Sequence, residues 1–130
     1  MSVRIKFELN YSVSENQAGS KELGQSSPWV GINDQMDDGG TTRWRIGAGA
    51  MDTPVGINSL TTCRFLAIKT TQTISFKLNS TGNTPTTIRA LGYGAMDGHF
   101  IMTTDTVTAL YFSNAGSVDA EVTITIAGTI

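Results

Sequence analysis

Apolar and polar residues alternate at both ends of the chain. Every second position is apolar in two sets, Val3, Ile5, Phe7, Leu9, Tyr11 and Val13 near the start and Val118, Ala120, Val122, Ile124 and Ile126 near the finish. A period of two is that of a β-strand with one buried face. Both segments are therefore predicted to be strands whose apolar residues point inward.

Shorter apolar or alternating segments lie between these two strands. They are Thr42–Ile46, Cys63–Lys69, Thr73–Asn79, Thr86–Leu91, His99–Thr103 and Val107–Ser113. Turn residues separate several of them, as in Ser80-Thr81-Gly82-Asn83 and Asn114-Ala115-Gly116-Ser117. No segment has the spacing of a long helix. The pattern predicts an all-β fold, an antiparallel, jelly-roll-like β-sandwich of about eight strands.

The segment from about residue 15 to 41 differs from the rest of the chain. It is polar and rich in glycine, with isolated Trp29, Val30 and Ile32. Two interpretations are open: a long loop over the surface of the sandwich, or an arm that a neighbouring subunit orders. The 130 residues are expected to form a single domain over 1–130, a usual domain size.

The tetrapeptide Gly-Ala-Met-Asp occurs twice, at 49–52 and at 94–97. With the copies aligned, Cys63–Lys69 falls opposite Thr108–Asn114, and one residue later Ile74–Leu78 falls opposite Ala120–Ile124. This predicts two comparable strand units. Within each copy we expect glycine to allow a bend, methionine to fill the core and aspartate to close a turn through backbone amides.

The net charge of −2 and the absence of clustered Lys and Arg argue against nucleic-acid binding. No window approaches the roughly 20 apolar residues of a membrane span, and the first residues do not resemble a signal peptide. We therefore expect synthesis in a cytoplasm and no membrane partner. Cys63 is predicted to be a buried thiol within an apolar run.

Few residues offer catalytic chemistry. Asp52 and Asp97 could flank a glycosidic bond as acid and base, but turn closure is the ordinary role of such aspartates. His99 opens a strand, where we expect a partly exposed imidazole without a catalytic partner. The cluster at 33–40 lacks the spacing of a calcium loop. The sequence predicts no enzyme, no cofactor, no metal site and no small-molecule substrate.

Aromatic residues leave one further alternative open. Trp29, Trp44 and Tyr93 could form a sugar-binding platform if they were exposed. Trp44 alternates with Thr42 and Ile46, which favours burial. A carbohydrate-binding module is thus a second hypothesis.

Two long segments resemble small virion proteins of tailed bacteriophages. They read CRFLAIKTTQTISFKLNSTG and IRALGYGAMDGHFIMTTDTVTALYFSNAGSVDAEVTITIAG, within a likeness that covers roughly residues 42–130. The shared texture is one of short threonine-rich strands, the turn SNAGS and a terminal strand AEVTITIAG. Head decoration and capsid-stabilising proteins with β-sandwich folds are among the proteins it resembles.

The resemblance implies a non-enzymatic structural subunit located in the virion. We expect a capsid decoration subunit that binds the major capsid protein or other virion proteins and forms a homo-oligomer. A tail or neck component is the alternative within the same class. The residues expected to contact a partner are Trp29, Val30, Ile32, Tyr93 and His99.

Overall fold

The computed structural model describes residues 3–9, 12–14, 22–25, 29–36, 38–57, 60–91 and 96–130, and side chains from residue 39 onward within these ranges except at 104–106. These ranges hold twelve strands and no helix. The strands are β1 (Val3–Leu9), β2 (Ser12–Ser14), β3 (Glu22–Gln25), β4 (Trp29–Met36), β5 (Asp38–Ile46), β6 (Thr53–Val55), β7 (Thr62–Thr70), β8 (Ile74–Leu78), β9 (Thr86–Ile88), β10 (Gly98–Val107), β11 (Leu110–Ser113) and β12 (Ala120–Thr129).

Strands β5 to β12 form two four-stranded antiparallel sheets. The orders are β10-β7-β12-β5 and β6-β11-β8-β9. The pairings are nested: β8 pairs with β9, β7 with β10, β6 with β11 and β5 with β12. Pairs β7–β12 and β8–β11 then join these nested ribbons within each sheet. A nested ribbon divided between two sheets is the jelly-roll topology, so the predicted β-sandwich is confirmed.

The core lies between the two sheets. Along β12, Ala120, Val122, Ile124 and Ile126 are buried, as their alternation predicted. Phe76 of one sheet meets Phe100 of the other edge-on, with ring centroids 4.9 Å apart, and lies 5.9 Å from Phe112. Aromatic pairs at these distances favour such tilted arrangements. Burial of these faces is the main force that holds the sandwich together.

Four connections lie together at one end of the sandwich. They are the loops at 47–52, 71–73 and 114–119, which join β5 to β6, β7 to β8 and β11 to β12, and the described residues 89–91 and 96–97 between β9 and β10. We call this the GAMD end, because it contains the first tetrapeptide copy and the described Met96 and Asp97 of the second. The sheet orders place the loops in a row: β5–β6, β11–β12, β7–β8, then β9–β10. With neighbouring strands about 4.8 Å apart, the row is about 14 Å long.

The N-terminal strands pair among themselves. β1 pairs with β4 and β2 with β3, so that Leu9 lies opposite Trp29 and Ser12 opposite Gln25. This is a second nested hairpin, and β4 leads into β5 after a single residue. The predicted surface loop at about 15–41 is therefore wrong for 22–25, 29–36 and 38–41, which are strands. Contact of this hairpin with a neighbouring subunit stays a prediction.

The structure differs from the sequence analysis at three further places. Strand β6 was not predicted, since Pro54 interrupts its pattern; proline is tolerated because β6 is a sheet edge. Val118, predicted to point inward, lies in the loop before β12 and is exposed. Trp44, predicted to be in the core, is only half-buried against it, and its indole N–H donates to the Thr42 hydroxyl at 3.0 Å.

Candidate functional site

The GAMD end is braced by the buried side chain of Asn114. Its amide nitrogen donates to the carbonyls of Ile46 at 3.1 Å and Val118 at 2.8 Å. Its amide oxygen accepts from the N–H of Gly116 at 3.0 Å. Because Ile46 ends β5 while Val118 precedes β12, one side chain fixes two chain segments that meet at this end. A buried amide needs such partners, since an unpaired one would cost about 1–3 kcal/mol.

The backbone of Asn114 also holds the first GAMD loop. Its N–H donates to the carbonyl of Ala50 at 2.9 Å, and its carbonyl accepts from the N–H of Gly49 at 2.8 Å. Ala50 in turn donates to the carbonyl of Gly47, which closes a turn. Gly49 has a φ of 77° at the third position of that turn, where glycine is favoured. The predicted glycine bend is confirmed for this copy.

Asp52 ends the first copy in a polar cluster with Lys77 and Ser113. The Lys77 ammonium lies 3.1 Å from one carboxylate oxygen of Asp52 and 3.3 Å from the other. The Ser113 hydroxyl accepts from the Asp52 N–H at 2.9 Å and lies 3.4 Å from its carboxylate. Asp52 has a φ of 50°, which aspartate tolerates better than most residues. Its carboxylate therefore binds side chains of β8 and β11 rather than the backbone amides we predicted.

The second copy is described at Met96 and Asp97. The Asp97 carboxylate accepts from the N–H of Leu91 at 3.0 Å, a bond to a backbone amide as predicted. The Met96 sulfur accepts from the Thr123 hydroxyl at 3.5 Å, and the side chain is half-buried. The two GAMD aspartates lie in loops at opposite ends of the row, each with its own partners.

Three loops of the GAMD end expose a large apolar side chain. Met51 is 80% exposed in the β5–β6 loop, Leu91 73% in the β9–β10 loop and Val118 56% in the β11–β12 loop. The prediction that methionine fills the core is therefore wrong for Met51. These three residues were not identified from the sequence as contact residues. Met51 carried a signal that could have been used, because it lies in a glycine-rich segment between predicted strands, whereas Leu91 ends the predicted strand Thr86–Leu91.

Charges of both signs lie at the same end. Arg45 lies 3.2 Å from Asp119, and Lys77 pairs with Asp52. Lys69, Arg89, Asp97 and Glu121 also lie on or beside the four loops, and Arg43 is level with Lys69, because both pair with Thr123. The exposed apolar side chains therefore have charged neighbours of both signs.

The predicted contact residues are only partly described. His99 is exposed at the second position of β10, paired with Lys69 and close to the GAMD end, as expected for a strand-opening imidazole. Trp29, Val30 and Ile32 belong to β4, but their side chains lie outside the described residues. Tyr93 lies outside them altogether. That these residues form one contact surface stays a prediction.

Beyond this polar network, the described residues offer few groups that could bind a metal or act as a nucleophile. No group of three His, Cys, Asp or Glu side chains able to hold a metal occurs there. Among the described residues, no helix could cross a membrane. Cys63 is a buried free thiol, as predicted, and donates to the carbonyl of Phe65 at 3.0 Å. Burial raises the pKa of this thiol, so it stays protonated and is a poor nucleophile.

Comparison with known proteins gives no relative from which a role could be transferred. No protein-family model matches the chain, and no curated protein matches its sequence.

Proposed function

We propose that the chain is a non-enzymatic structural subunit that acts by binding other proteins, and that its setting is the bacteriophage virion. The specific role proposed is capsid decoration, in which the subunit bridges neighbouring capsid proteins and stabilises the head. A tail or neck position is the alternative location.

One observation carries the first half of this proposal. Three loops of the GAMD end expose Met51, Leu91 and Val118. Asn114 and the Asp52–Lys77 pair hold the loops of Met51 and Val118 in place, and the N–H of Leu91 donates to the Asp97 carboxylate. Apolar side chains that are exposed on a rigid frame lose little conformational freedom when a partner covers them. Such a surface fits protein binding better than turnover of a small molecule.

The virion setting is supported by the fold class and by the likeness of residues 42–130 to phage virion proteins. Jelly-roll sandwiches occur in capsid proteins, but also in lectins and cupins, so the fold alone does not select one function. Arms and paired edges are common in symmetric assemblies, and the β1–β4 hairpin together with the edge strand β5 would suit such contacts.

Localisation on purified virions tests the setting. An antibody against the chain, viewed by electron microscopy, should label the head at many sites. Label at a single vertex or along the tail would select the alternative location, and virions without the chain would contradict the proposal. Addition of purified chain to heads that lack it should raise their resistance to heat, while Trp29→Ala should lower the occupancy of the heads.

A glycan array separates the carbohydrate-binding hypothesis. We expect no sugar to bind. Specific binding that disappears in Trp29→Ala or Tyr93→Ala would replace the structural proposal with a lectin-like one.

A further inference from the structure

We infer that an acidic segment of one copy, residues 22–38, binds a stripe of basic side chains on the outer face of the β10-β7-β12-β5 sheet of a second copy. The stripe, called the basic stripe below, consists of Arg43, Thr123, Lys69 and His99. This contact rests on the proposed function in one respect, that the chain acts by binding proteins, and it names the partner as another copy. It does not depend on the virion setting.

The strand pairings place the four residues of the basic stripe side by side. Thr123 of β12 pairs with Arg43 of β5 and with Lys69 of β7, and Lys69 pairs with His99 of β10. Residues paired across strands share one face of a sheet. Because Val122, next to Thr123, is buried in the core, this face points away from the core. With strands about 4.8 Å apart, the basic stripe is about 14 Å long.

The basic groups of the stripe are open to solvent in the single chain. Arg43, Lys69 and His99 are exposed. Within the part of the chain that the structure describes, neither Arg43 nor Lys69 belongs to an ion pair, unlike Arg45 and Lys77. The basic stripe itself contains only basic and neutral side chains, so it carries positive charge that no neighbour within the stripe neutralises.

The residues beside the basic stripe limit what can bind there. Toward the GAMD end, Glu121 lies opposite Arg45. On the other side lie the neutral residues Thr41, Thr125, Ala67 and Ile101, of which Ile101 is 43% exposed. A partner that lies along the stripe on this side therefore meets basic groups beside small neutral side chains and one exposed apolar side chain.

The complementary charge is present in the same chain. Residues 22–38 contain four acidic residues and no basic one; they are Glu22, Asp34, Asp37 and Asp38. The segment also contains Trp29, Val30 and Ile32, which the sequence analysis predicts to contact a partner. Opposite charges favour the approach of such a segment to the basic stripe, and its apolar residues favour the bound state.

The contact lies between two copies, because within one copy the basic stripe stays exposed. β5 pairs with β12 from Asp38 to Ile46, which holds Asp38 five residues, about 17 Å, from Arg43 along the strand. Two different surfaces of identical chains make a heterologous contact, and its repetition produces a ring or an open chain of subunits. Such an assembly agrees with the proposed role of a subunit that connects other proteins.

Salt and charge reversal test the contact. At low salt the full chain should sediment as assemblies of more than one subunit of 13.8 kDa. An increase in ionic strength from about 0.05 M to about 0.5 M should weaken the association by about tenfold or more, because salt screens exposed charges. Arg43→Glu combined with Lys69→Glu should weaken it by about as much at low salt, because like charges then meet.

Reversal of the segment should have the same effect and should compensate for reversal of the stripe. Asp34→Lys combined with Asp37→Lys should weaken self-association by about tenfold or more. Mixed with the Arg43→Glu and Lys69→Glu protein, this variant should associate again. The native segment then meets the native stripe, and the reversed segment meets the reversed stripe. The thermal midpoint of each variant checks that it folds.

Arg89→Glu is the matched control for Lys69→Glu alone. Arg89 is also exposed, but it follows β9 of the other sheet, so this substitution makes the same change in net charge away from the stripe. Lys69→Glu should weaken the association by about threefold or more, and Arg89→Glu by less than about twofold.

Several results would overturn the inference. They are a monomer at the highest soluble concentration in low salt, an association that salt does not weaken, reversed variants that do not restore each other, or equal effects of Arg89→Glu and Lys69→Glu. A monomer that still labels phage heads would leave the proposed function standing. An assembly that is absent from virions would remove only the virion setting.

Discussion

The two GAMD loops have the same four residues, yet their described side chains have different environments. Met51 of the first copy is exposed, whereas Met96 of the second is half-buried against Thr123. Asp52 pairs with Lys77, whereas Asp97 binds a backbone N–H of its own loop. The copies nevertheless occupy equivalent positions. If four is added to each strand number, counting on from β12 to β5, the sheet β10-β7-β12-β5 becomes the sheet β6-β11-β8-β9 with the same pairings.

The strand pairings identify the cause of the difference. Thr53 after the first copy pairs with Phe112, and Gly98 after the second pairs with Thr70. Thr53 and Gly98 therefore hold equivalent positions, and so do Phe112 and Thr70. On the strands beside them, Ser113 then corresponds to Thr71, and Lys77 corresponds to Thr123. The second loop thus has no ammonium at the position where the first has one. Its aspartate turns to the backbone, and its methionine approaches the threonine.

The same pairings correct one detail of the sequence alignment. The tetrapeptide offset aligns Phe112 with Ala67, but the structure places Phe112 level with Thr70, three residues further along β7. Strands correspond as predicted, but the register of this pair does not. A shared motif therefore indicated equivalent loops, while neighbouring strands decided what each side chain does.

Loss of the Asn114 side chain should lower the free energy of unfolding more than any other variant that tests this comparison. Asn114→Ala removes three side-chain hydrogen bonds at a buried site and leaves the carbonyls of Ile46 and Val118 without this partner. We expect the free energy of unfolding to fall by about 3 kcal/mol. Denaturant unfolding measures the change.

The control for Asn114 is Thr70, the other buried polar residue that the structure describes in the sandwich. Its hydroxyl bonds only within its own turn, to Gln72. Thr70→Val should cost about 1 kcal/mol. Equal losses for the two variants would show that Asn114 does not brace the first loop.

Gly98 gives the second largest effect. A Cβ at this position would lie 2.7 Å from the Thr70 methyl group and 3.1 Å from the Arg89 carbonyl, although Thr53 accommodates a side chain at the equivalent position. Gly98→Ala should therefore destabilise by about 2 kcal/mol through overpacking. Thr53→Ala is the comparison, with a smaller expected loss. A Gly98→Ala protein as stable as the parent would contradict the close packing of the second loop.

The two aspartates should respond differently to neutralisation. Asp52→Asn keeps a residue type that tolerates positive φ but removes the charge that faces Lys77, whose side chain is 21% exposed. We expect a loss of about 1 kcal/mol that shrinks at high salt. Asp97→Asn keeps an oxygen for Leu91 and should change stability by less than about 0.3 kcal/mol. The salt dependence of the denaturation midpoint distinguishes them, and a reversed order would refute the assignment of partners.

The smallest expected effect is the pH dependence of stability that arises from the buried thiol of Cys63. Burial raises the pKa of Cys63 above its ordinary value of 9.0. The unfolded thiol ionises first as the pH rises, so its contribution to stability is complete below about pH 9 and is lost above it, by at most about 1.4 kcal/mol per pH unit. Cys63→Ala should have a shallower decline over this range. Identical slopes would show that the thiol does not contribute.

Much of the fold could be predicted from the sequence, because the period of two along β12 and the apolar runs of β7 and β11 report burial directly. The SNAGS turn and the closing role of Asp97 were also readable, since they depend on local turn chemistry. Strand β6 was not, because three residues with a central proline carry no periodic signal. The strands at 22–25 and 29–36 were missed for another reason: their pairing lies between polar segments without alternation.

The candidate surface was less predictable. Exposure of Met51 depends on the direction in which a braced loop leaves the sandwich. Asn114, which follows β11 and is more than sixty residues away in the chain, sets that direction. Val118 continues an alternating pattern but precedes the first paired residue of β12, so it remains outside the core.

The sequence by itself determined the fold class, the buried face of most core strands and the two equivalent loops, because these follow from local periodicity and turn residues. Only the tertiary structure decided the order of strands in the two sheets, the partners of each GAMD aspartate and the gathering of Met51, Val118 and Leu91 at one end. Those features arise from contacts between residues far apart in the chain, and local pattern does not encode which distant strands become neighbours.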